Sequence, residues 1–380
     1  MSEPTWKVPL SDIDLGEAEI QAVEAVLRSR WLSMGEVTAR FEQACTDYLG
    51  SPYAFAVANG TAALHLACLA LGLGPGDEVI LPSLTFVASA NAVLYTGAKP
   101  VFADITSLEE LTISARQVEA LITSRTRAIM VMHYGGNLCD MQAIQDIANQ
   151  HHLAVIEDAA HAPGAALEGR KAGTLSDIGC FSFFANKNLV TGEGGLVATH
   201  HPEIADKIRR MRSHGMTSLT WDRHHGHSSS YDVVALGFNY RMDEIRAAIG
   251  LVQLQKLDLN NQRRAQVDQH YRQAFTDHPS LRIPFSETRG LSSNHLFVVL
   301  LNRPEQRPDF VAHLRAAGVQ TSLHYPPIHQ FSFYQAQFGS SPSLPLTEQA
   351  AARLVTLPLY ATLNEDQIET VIAAVNGFRP

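Results

Sequence analysis

The chain has 380 residues, a formal net charge of −9 and 18% charged residues. This length exceeds that of an average domain, so we expect one large domain with a smaller one, or one large α/β unit. An acidic chain does not suit general nucleic-acid binding, which needs a basic face for the phosphate backbone, and we expect no nucleic-acid partner.

The cysteines and the first residues predict a cytoplasmic protein. The four cysteines are scattered and form no CxxC pair, which suits a reducing compartment. The opening segment MSEPTWKVPLSDIDL has acidic residues and prolines where a signal peptide needs a basic start and an apolar run. No apolar run approaches the roughly 20 residues of a membrane span, so we also expect no membrane partner.

Helical spacing of apolar residues predicts helices over 16–30 and 36–49. From residue 53 onward, short apolar runs alternate with amphipathic segments of helix length. This alternation predicts an α/β fold with a mostly parallel sheet that helices cover on both faces. The predicted strands are 53–58, 78–81, 100–103, 127–132, 153–157, 178–184 and 194–199.

A further helix is predicted from about Met242 to Leu257, and the smaller domain should begin near its end. We therefore predict a large domain over 1–255, which includes the N-terminal helical segment, and a small C-terminal α/β domain over 256–380. The small domain should pack on the large one and narrow the cleft. Its predicted elements are 295–301, 307–317, 319–325, 344–355 and 364–376.

Two segments that follow early strands could contact a ligand, since ligands of such sheets bind at the carboxyl ends of the strands. Asn59-Gly60-Thr61-Ala62 ends the first strand and opens a helix. The free N–H groups of a first helical turn suit a phosphate, although the simpler interpretation is that Asn59 or Thr61 only caps the helix. Phe86 follows the next strand and could stack on a planar ring or belong to the core.

A carboxylate and a lysine follow two later strands. Asp158 ends the strand of VIEDAAH, and a buried carboxylate there needs a cation, which could be an arginine or a protonated ring nitrogen. Lys187 follows an apolar run and precedes a Thr-Gly-Glu-Gly-Gly segment. Most lysines in such a position point to water, but one that loses hydration has a lowered pKa and can form a Schiff base with a carbonyl.

Together these segments predict a site for pyridoxal 5′-phosphate (PLP). This cofactor needs a phosphate cradle, an aromatic plate, a carboxylate for its ring nitrogen and a lysine for its aldehyde. Each of the four needs has one candidate segment at the same predicted sheet edge.

Longer motifs extend over nearly the whole chain. They are WLSMG, ANGTAALHLA, GPGDEVILPSLTFVASANAV, VIEDAAHAPGA, FSFFANKNLVTGEGG, GFNYRMDEIRAAIGLVQL and HYPPIH. With these motifs the chain resembles the DegT/DnrJ/EryC1/StrS family of PLP-dependent sugar aminotransferases, within the fold-type I PLP enzymes, from Pro9 to about Tyr360.

The resemblance implies roles for the matching residues. Lys187 would carry the cofactor and shuttle the proton during transfer, while Asp158 would hold the ring nitrogen protonated. Phe86 would stack on the ring, and His161 would lie near the ring or its phenolic oxygen. The phosphate would be bound by Gly60, Thr61, Ala62 and Ser182, and by Asn239 of a second subunit. The resemblance therefore also implies a homodimer with shared active sites.

The same resemblance implies the reaction. An amino acid, first of all glutamate, would give its amino group to the cofactor, and a nucleotide-linked keto sugar would then receive it. Phe184 departs from many relatives, which have histidine or tyrosine there, so any polar contact of that side chain is absent. The residues that would shape the substrate site are Ser33, Arg241, His324 and His329, with Gly135-Gly136 and the segment from Trp221 to Tyr231.

Three alternatives stay open at this point. The substrate could be a keto-cyclitol, the reaction could be a dehydration, or the chain could be a non-catalytic sensor that keeps the fold. Some relatives replace the lysine by histidine and dehydrate sugars, so Lys187 favours amino transfer, and Lys187 with Asp158 disfavours a sensor. The run from Trp221 to His227 has several histidines but no cysteine and no helical i,i+4 spacing, so we predict no metal site.

Overall fold

The structure is a computed structural model that describes residues 6–218, 230–339 and 342–379. Its helices are α1 (Glu17–Ser29), α2 (Glu36–Leu49), α3 (Gly60–Ala70), α4 (Ala88–Tyr95), α5 (Ala115–Leu121), α6 (Met141–His151), α7 (Pro202–Met211), α8 (Glu244–Phe275), α9 (Arg307–Ala316), α10 (Ser332–Phe338), α11 (Pro345–Arg353) and α12 (Glu365–Gly377). Its strands are β1 (Tyr53–Val57), β2 (Glu78–Pro82), β3 (Lys99–Ala103), β4 (Thr126–Met132), β5 (Ala154–Asp158), β6 (Ala166–Leu167), β7 (Arg170–Lys171), β8 (Ile178–Ser182), β9 (Gly195–Thr199), β10 (Leu281–Arg282), β11 (Phe297–Leu301) and β12 (Leu354–Leu357).

Within the described residues the main sheet has seven strands in the order β1-β9-β8-β5-β4-β2-β3. Strand β9 is antiparallel to both of its neighbours, whereas the pairs β8-β5, β5-β4, β4-β2 and β2-β3 are parallel. Six strands therefore run in one direction, and their carboxyl ends meet at one edge of the sheet.

Helices cover both faces of this sheet, which is why its strands read as continuous apolar runs. Along β4, Ile129 and Val131 pack into a core shared with α2, α6 and α8. The alternate residues Ala128 and Met130 pack into a second core with α3, α4 and α7. The predicted mostly parallel sheet between two helical layers is confirmed, and each of the seven predicted strands matches one strand of the sheet within two residues at either end.

A second, three-stranded antiparallel sheet, β10-β11-β12, forms the C-terminal α/β part. Its core contains Phe297 and Val299 of β11, with residues of α9 and α12. The predicted closing helix over 344–355 ends at Arg353, because Leu354 to Leu357 pair with β11 as a strand. Residues 319–325 form only isolated bridges, such as Ser322 with Thr356.

Helix α8 is much longer than predicted and has 32 residues. Its buried positions continue past Leu257 at helical spacing, but two of them are Asn260 and Arg264, which interrupt the apolar pattern in the sequence. The first half packs in the core of the main sheet, and Tyr271 and Phe275 pack in the C-terminal core. The predicted domain boundary after residue 255 falls inside this helix, and the division there stays a prediction.

A buried carboxylate joins the start of α8 to the start of α2. Glu244 accepts hydrogen bonds from the backbone N–H groups of Gly35, Val37 and Thr38, each at 2.8 Å, and from the Thr38 hydroxyl at 2.6 Å. These N–H groups lie at the N-terminus of a helix, where backbone donors lack partners and a negative charge is favourable. The contact fixes the WLSMG segment against α8, since the Glu244 N–H also donates to the Leu32 carbonyl.

Candidate active site

A cavity of about 430 Å³ lies at the carboxyl ends of the parallel strands. It is lined by Asn59, Gly60, Thr61, Leu64, Phe86, Ala88, Met132, Asp158, Ala160, His161, Cys180, Phe181, Ser182, Phe184, Asn186, Lys187, Glu193, His324 and Tyr325. Strands β1, β2, β4, β5 and β8 each contribute to this lining, either with their last residues or with the segment that follows them. The cavity therefore brings together most of the residues predicted to bind the cofactor.

One end of the cavity is formed by the N-terminus of α3. Asn59 caps this helix, because its side-chain oxygen accepts from the Ala62 N–H at 2.8 Å. The N–H groups of Gly60 and Thr61 make no hydrogen bond to any residue that the structure describes, so they can bind an anion. Asn59 is therefore the cap and satisfies the Ala62 N–H, while Gly60 and Thr61 keep free donors. Phosphate binding by this segment stays a prediction.

Ser182, at the end of β8, packs against this helix start. A Cβ on Gly60 would lie 2.7 Å from the Ser182 Cβ, so only glycine lets the helix N-terminus approach the strand so closely. The Ser182 hydroxyl and the Thr61 side chain thus stand beside the two free N–H groups. This donor set fits the phosphate group of PLP.

Asp158 lies on the floor of the cavity. Its Oδ2 accepts from the Ser89 hydroxyl at 2.7 Å, and its Oδ1 accepts from the Ala160 N–H at 3.2 Å. Burial raises the pKa of this carboxyl above its ordinary value, although these hydrogen bonds and the charge of Lys187 oppose the shift. No arginine or lysine of the described residues forms an ion pair with Asp158, so the carboxylate remains available for a protonated ring nitrogen.

The neighbouring carboxylate, Glu157, has a different environment. It is fully buried on the opposite side of β5 and accepts hydrogen bonds from the N–H groups of Gly173 and Leu175, both at 2.7 Å, and from Ser176 at 3.0 Å. His133 Nε2 lies 2.9 Å from it. Glu157 is therefore saturated by the protein, whereas Asp158 faces the cavity.

Lys187 lies in the turn that follows β8, and its N–H donates to the Phe184 carbonyl at 2.9 Å. Burial lowers the pKa of its amine to about 8, and the charge of Asp158 opposes this shift only in part. At pH 7 a larger fraction of this lysine is therefore the neutral amine than of an ordinary lysine. A half-buried amine of this kind is a nucleophile for a carbonyl.

Two aromatic side chains face the cavity on either side of the lysine. Phe86 is 54% exposed and Phe184 is 46% exposed, so neither belongs to the packed core. Phe86 lies close to Tyr325, with ring centroids 5.8 Å apart. An exposed ring beside Asp158 and Lys187 is placed to stack on a planar heterocycle, as predicted for Phe86.

Two histidines and a tyrosine, His161, His324 and Tyr325, also line the cavity. His161 is buried, and its Nε2 lies 2.8 Å from the Tyr325 hydroxyl. His324 is half-buried, and its Nδ1 lies 3.0 Å from the Thr356 hydroxyl. Burial and the nearby charge of Lys187 lower the pKa of His324 to about 4, so its imidazole is neutral.

His329 does not line this cavity. It is buried beside the end of β2, where its Nδ1 lies 2.7 Å from the Ser83 hydroxyl oxygen. Its backbone N–H donates to the same oxygen at 3.2 Å. Its Nε2 lies 3.3 Å from Glu348. These contacts attach the HYPPIH segment to the main sheet, so a direct substrate contact of His329 has no support in the geometry of this chain.

Three other predicted residues also lie away from the cavity. Ser33 and Asn239 are exposed, and Asn239 forms a bridge with Ser213. Arg241 is half-buried, and its guanidinium donates to the Ser213 hydroxyl at 3.1 Å. Gly135 and Gly136 are buried behind His161 and not in the lining, while most of the segment from Trp221 to Tyr231 lies outside the described residues.

Ser89 and Thr85, which form a chain of hydrogen bonds to Asp158, were not among the predicted site residues. The Ser89 hydroxyl donates to Asp158, and the Thr85 hydroxyl lies 3.0 Å from the Ser89 hydroxyl. Thr85 lies before α4 and Ser89 lies in its first turn. Both follow β2, which ends at the edge of the sheet where the cavity lies. Their spacing of four residues was the signal available in the sequence. Tyr325 was included only as part of the HYPPIH segment.

The described residues contain no group of three or more histidine, cysteine, aspartate or glutamate side chains placed to hold a metal ion. The histidine-rich run from Trp221 to His227 lies outside those residues. In the described part of the chain, no helix combines the length and the apolar character needed to cross a membrane.

The model of the DegT/DnrJ/EryC1/StrS aminotransferase family matches residues 13–376. The chain belongs to this family. It is 40% identical over 367 residues to the spore coat polysaccharide biosynthesis protein SpsC of Bacillus subtilis. The match covers 95% of this chain and 94% of that protein.

Solved structures of similar proteins agree with this membership. PseC of Helicobacter pylori, an aminotransferase involved in the biosynthesis of pseudoaminic acid, superposes with a TM-score of 0.90 at 30% identity and covers 97% of this chain and 98% of its own. Spr1654 of Streptococcus pneumoniae, solved in its PLP-form, gives a TM-score of 0.91 at 27% identity, with 97% and 98% covered. The predicted family, the fold-type I architecture and the aminotransferase activity are therefore confirmed.

Proposed function

We propose that this aminotransferase binds PLP in the Lys187 cavity and moves an amino group from glutamate to a nucleotide-linked keto sugar. The observation that carries the proposal is the single cavity that holds a lysine of lowered pKa, an unpaired carboxylate and a free helix N-terminus. Each of these three features matches one functional group of the cofactor.

The residues present would hold PLP as follows. The N–H groups of Gly60 and Thr61, with the Ser182 hydroxyl, would bind the phosphate. Asp158 would bind the ring nitrogen, and Phe86 would cover one face of the ring. When bound, PLP supplies an aldehyde that condenses with amines and a ring that withdraws electron density from the reacting carbon.

Lys187 performs two tasks in this proposal. Its neutral amine would hold the aldehyde carbon of the cofactor, and the same amine would remove or return a proton at the reacting carbon. A pKa of about 8 places the amine close to the working pH, where it can act both as a base and as an acid. Removal from bulk water produces this pKa, since Asp158 opposes the shift.

Asp158 would provide the negative charge beside the ring nitrogen of the cofactor. Its two hydrogen bonds, from Ser89 and from the Ala160 N–H, hold the carboxylate in one orientation. A carboxylate so placed stabilises a proton on the ring nitrogen, and this proton makes the ring a stronger acceptor of electron density. The raised pKa of the free carboxyl would fall again once a cationic ring nitrogen lies beside it.

We further propose a homodimer that shares its active sites. Support comes from Asn239, which the family resemblance assigns to the phosphate of a second subunit. Within its own chain, Asn239 is exposed and absent from the cavity lining. An exposed side chain near the N-terminus of α8 could reach a neighbouring cavity, so we infer that Asn239 of the partner subunit completes the phosphate site.

A mass-labelled amino donor tests the substrate class. The PLP-loaded protein should transfer ¹⁵N from labelled glutamate to at least one member of a panel of nucleotide-linked 3-keto and 4-keto sugars, detected by mass spectrometry. The panel should include a keto-cyclitol and unlinked keto sugars as controls for the nucleotide. Label in the keto-cyclitol alone would overturn the nucleotide-sugar proposal. Absence of ¹⁵N exchange between glutamate and 2-oxoglutarate would overturn glutamate as the amino donor.

A further inference from the structure

His161 lies between two hydrogen-bond partners that together fix its tautomer. Its Nδ1 faces the backbone nitrogen of Gly135 at 3.3 Å, and its Nε2 faces the Tyr325 hydroxyl at 2.8 Å. A backbone N–H can only donate, so Nδ1 must be an acceptor and carry no hydrogen. The single proton of a neutral imidazole is therefore on Nε2 and points at Tyr325.

The imidazole stays neutral in this position. Burial lowers the pKa of His161 well below its ordinary value, and the positive charge of Lys187 acts in the same direction. The ring also packs on His295, with centroids 4.2 Å apart, and burial likewise lowers the pKa of that imidazole well below its ordinary value. A second proton on His161 would bring two donors, Nδ1–H and the Gly135 N–H, face to face.

The direction of the His161 proton determines what Tyr325 can do. Since Nε2–H donates to the phenol oxygen, the phenol hydrogen must point elsewhere. His161 is the hydrogen-bond partner of the Tyr325 hydroxyl within the described residues, and Tyr325 lines the cavity. Burial, together with the charge of Asp158, raises the pKa of the phenol above its ordinary value, so the hydroxyl keeps its hydrogen.

We propose that His161 is a positioning residue that fixes the Tyr325 hydroxyl as a hydrogen-bond donor aimed into the Lys187 cavity. The acceptor is an oxygen atom of the bound molecule, either the phenolic oxygen of the cofactor or an oxygen of the sugar. Only the identity of that molecule rests on the proposed function. The direction of the hydroxyl rests on the hydrogen bonds of this chain alone.

The packing around Gly135 makes this direction a fixed feature of the fold. The Tyr134 carbonyl, which belongs to the same peptide as the Gly135 N–H, accepts from the Asn137 N–H at 3.0 Å and so orients the peptide whose N–H faces His161. The Gly135 carbonyl accepts from the N–H of His295 at 2.9 Å. A Cβ on Gly136 would lie 2.3 Å from the Ser293 hydroxyl and 3.1 Å from the His161 carbonyl oxygen, so the loop fits tightly against the histidine. The donor to Nδ1 is therefore preorganised before any ligand binds.

The tautomer can be measured directly. We expect ¹⁵N spectra of the histidine-labelled holoenzyme to show His161 neutral, with hydrogen on Nε2 and none on Nδ1, at pH values from about 6 to 8. The H161Q variant assigns the signals by their disappearance. A hydrogen on Nδ1, or a doubly protonated ring, would overturn the proposal. This result does not depend on the substrate, so it separates the proposal from the proposed function.

A double-mutant cycle tests whether His161 acts through Tyr325. We expect Y325F to lower either PLP affinity or kcat/KM for the keto sugar about ten-fold, the effect of one lost hydrogen bond. H161L should lower the same quantity several-fold, and H161L in the Y325F background should have no further effect. H161Q should recover most of what H161L loses, because the amide can accept from Gly135 and donate to Tyr325 at the same time.

The measured quantity identifies the acceptor. A rise in the dissociation constant of PLP places the acceptor on the cofactor, whereas an unchanged PLP affinity with a raised KM for the sugar places it on the substrate. Thermal unfolding midpoints of the variants serve as the folding control. The proposal is overturned if H161Q is no better than H161L, or if H161L lowers both quantities as much in the Y325F background as in the parent.

Discussion

Asp158 is a buried carboxylate whose cationic partner is missing among the described side chains. Replacement by asparagine keeps the shape and the hydrogen bond from Ser89 but removes the charge that would stabilise a protonated ring nitrogen. We expect Asp158→Asn to retain bound PLP and to lower the turnover number about 10²-fold to 10³-fold, the size of effect found when one preorganised electrostatic group is removed. Cofactor absorbance and steady-state rates measure the two quantities.

Ser89→Ala is the matched control for this substitution. It removes the 2.7 Å hydrogen bond to Asp158 but leaves the carboxylate and its charge. The expected loss is about ten-fold, because a single hydrogen bond to a charged group is removed. Equal losses in Asp158→Asn and Ser89→Ala would mean that orientation of the carboxylate matters and its charge does not.

The lowered pKa of Lys187 predicts a pH dependence for cofactor capture. A lowered pKa means that the neutral amine, which attacks the aldehyde, is reached at lower pH than for an ordinary lysine. The rate at which the cofactor-free protein takes up PLP should therefore rise with pH, with a midpoint near 8. Stopped-flow absorbance from about pH 6 to 10 measures it, with a free alkyl amine as the reference for changes in PLP itself. A midpoint near that of the free amine contradicts the prediction.

Glu244 is the contact on which the junction of α2, α8 and the WLSMG segment depends. Its carboxylate accepts from three backbone N–H groups and one hydroxyl, and it is 3% exposed. Glu244→Gln places an amide N–H₂ among donors and removes the charge at the helix N-terminus. We expect the free energy of unfolding to fall by about 2–4 kcal/mol.

Chemical denaturation measures this change, and Glu24→Gln is its control. Glu24 pairs with Arg28 on the exposed face of α1, where such ion pairs contribute at most about 1 kcal/mol. Similar small losses in both variants would show that Glu244 is not a major stabilising contact.

The strands of the main sheet were predictable because burial on both faces leaves an unbroken apolar run in the sequence. The positions of Asp158 and Lys187 at the sheet edge followed from the same pattern. The extent of α8 did not, because Asn260 and Arg264 occupy buried positions of its stripe. The Arg264 guanidinium donates there to the Leu359 carbonyl at 2.7 Å, a contact 95 positions away that no local pattern indicates.

Long-range pairs also explain what the sequence could not show about the site. Ser89 and Asp158 are 69 positions apart, and His161 and Tyr325 are 164 apart. His329 was placed near the substrate by the family resemblance of the HYPPIH segment, but its burial against Ser83 depends on a residue 246 positions earlier. Such pairings become visible only when the elements are assembled.

Shared active sites in a homodimer predict complementation between two inactive variants. Lys187→Ala removes the attacking amine of its own cavity, and Asn239→Ala removes a phosphate ligand that we place in the partner's cavity. Mixed dimers of the two variants contain one cavity with both residues intact. We expect unfolding and refolding of an equal mixture to restore about a quarter of the parent activity, since roughly half of the dimers are mixed and each has one intact site.

Two controls accompany this experiment. Each variant refolded alone should stay at its own low activity, and mixing without refolding should restore nothing if the dimers do not exchange. Activity of the mixture equal to the average of the two variants would contradict a site shared between subunits.

The absorbance spectrum of the PLP-loaded protein, before and after glutamate and after borohydride reduction, tests the central claim most directly. We expect a band of bound cofactor that glutamate converts to the amine form, and reduction before glutamate should fix the cofactor to Lys187 in a peptide map. Lys171→Ala, which alters a lysine outside the cavity, should behave like the parent, and Lys187→Ala should bind no cofactor covalently. Full conversion by glutamate in Lys187→Ala, or attachment to another lysine, would contradict the assignment of Lys187 as the residue that carries the cofactor.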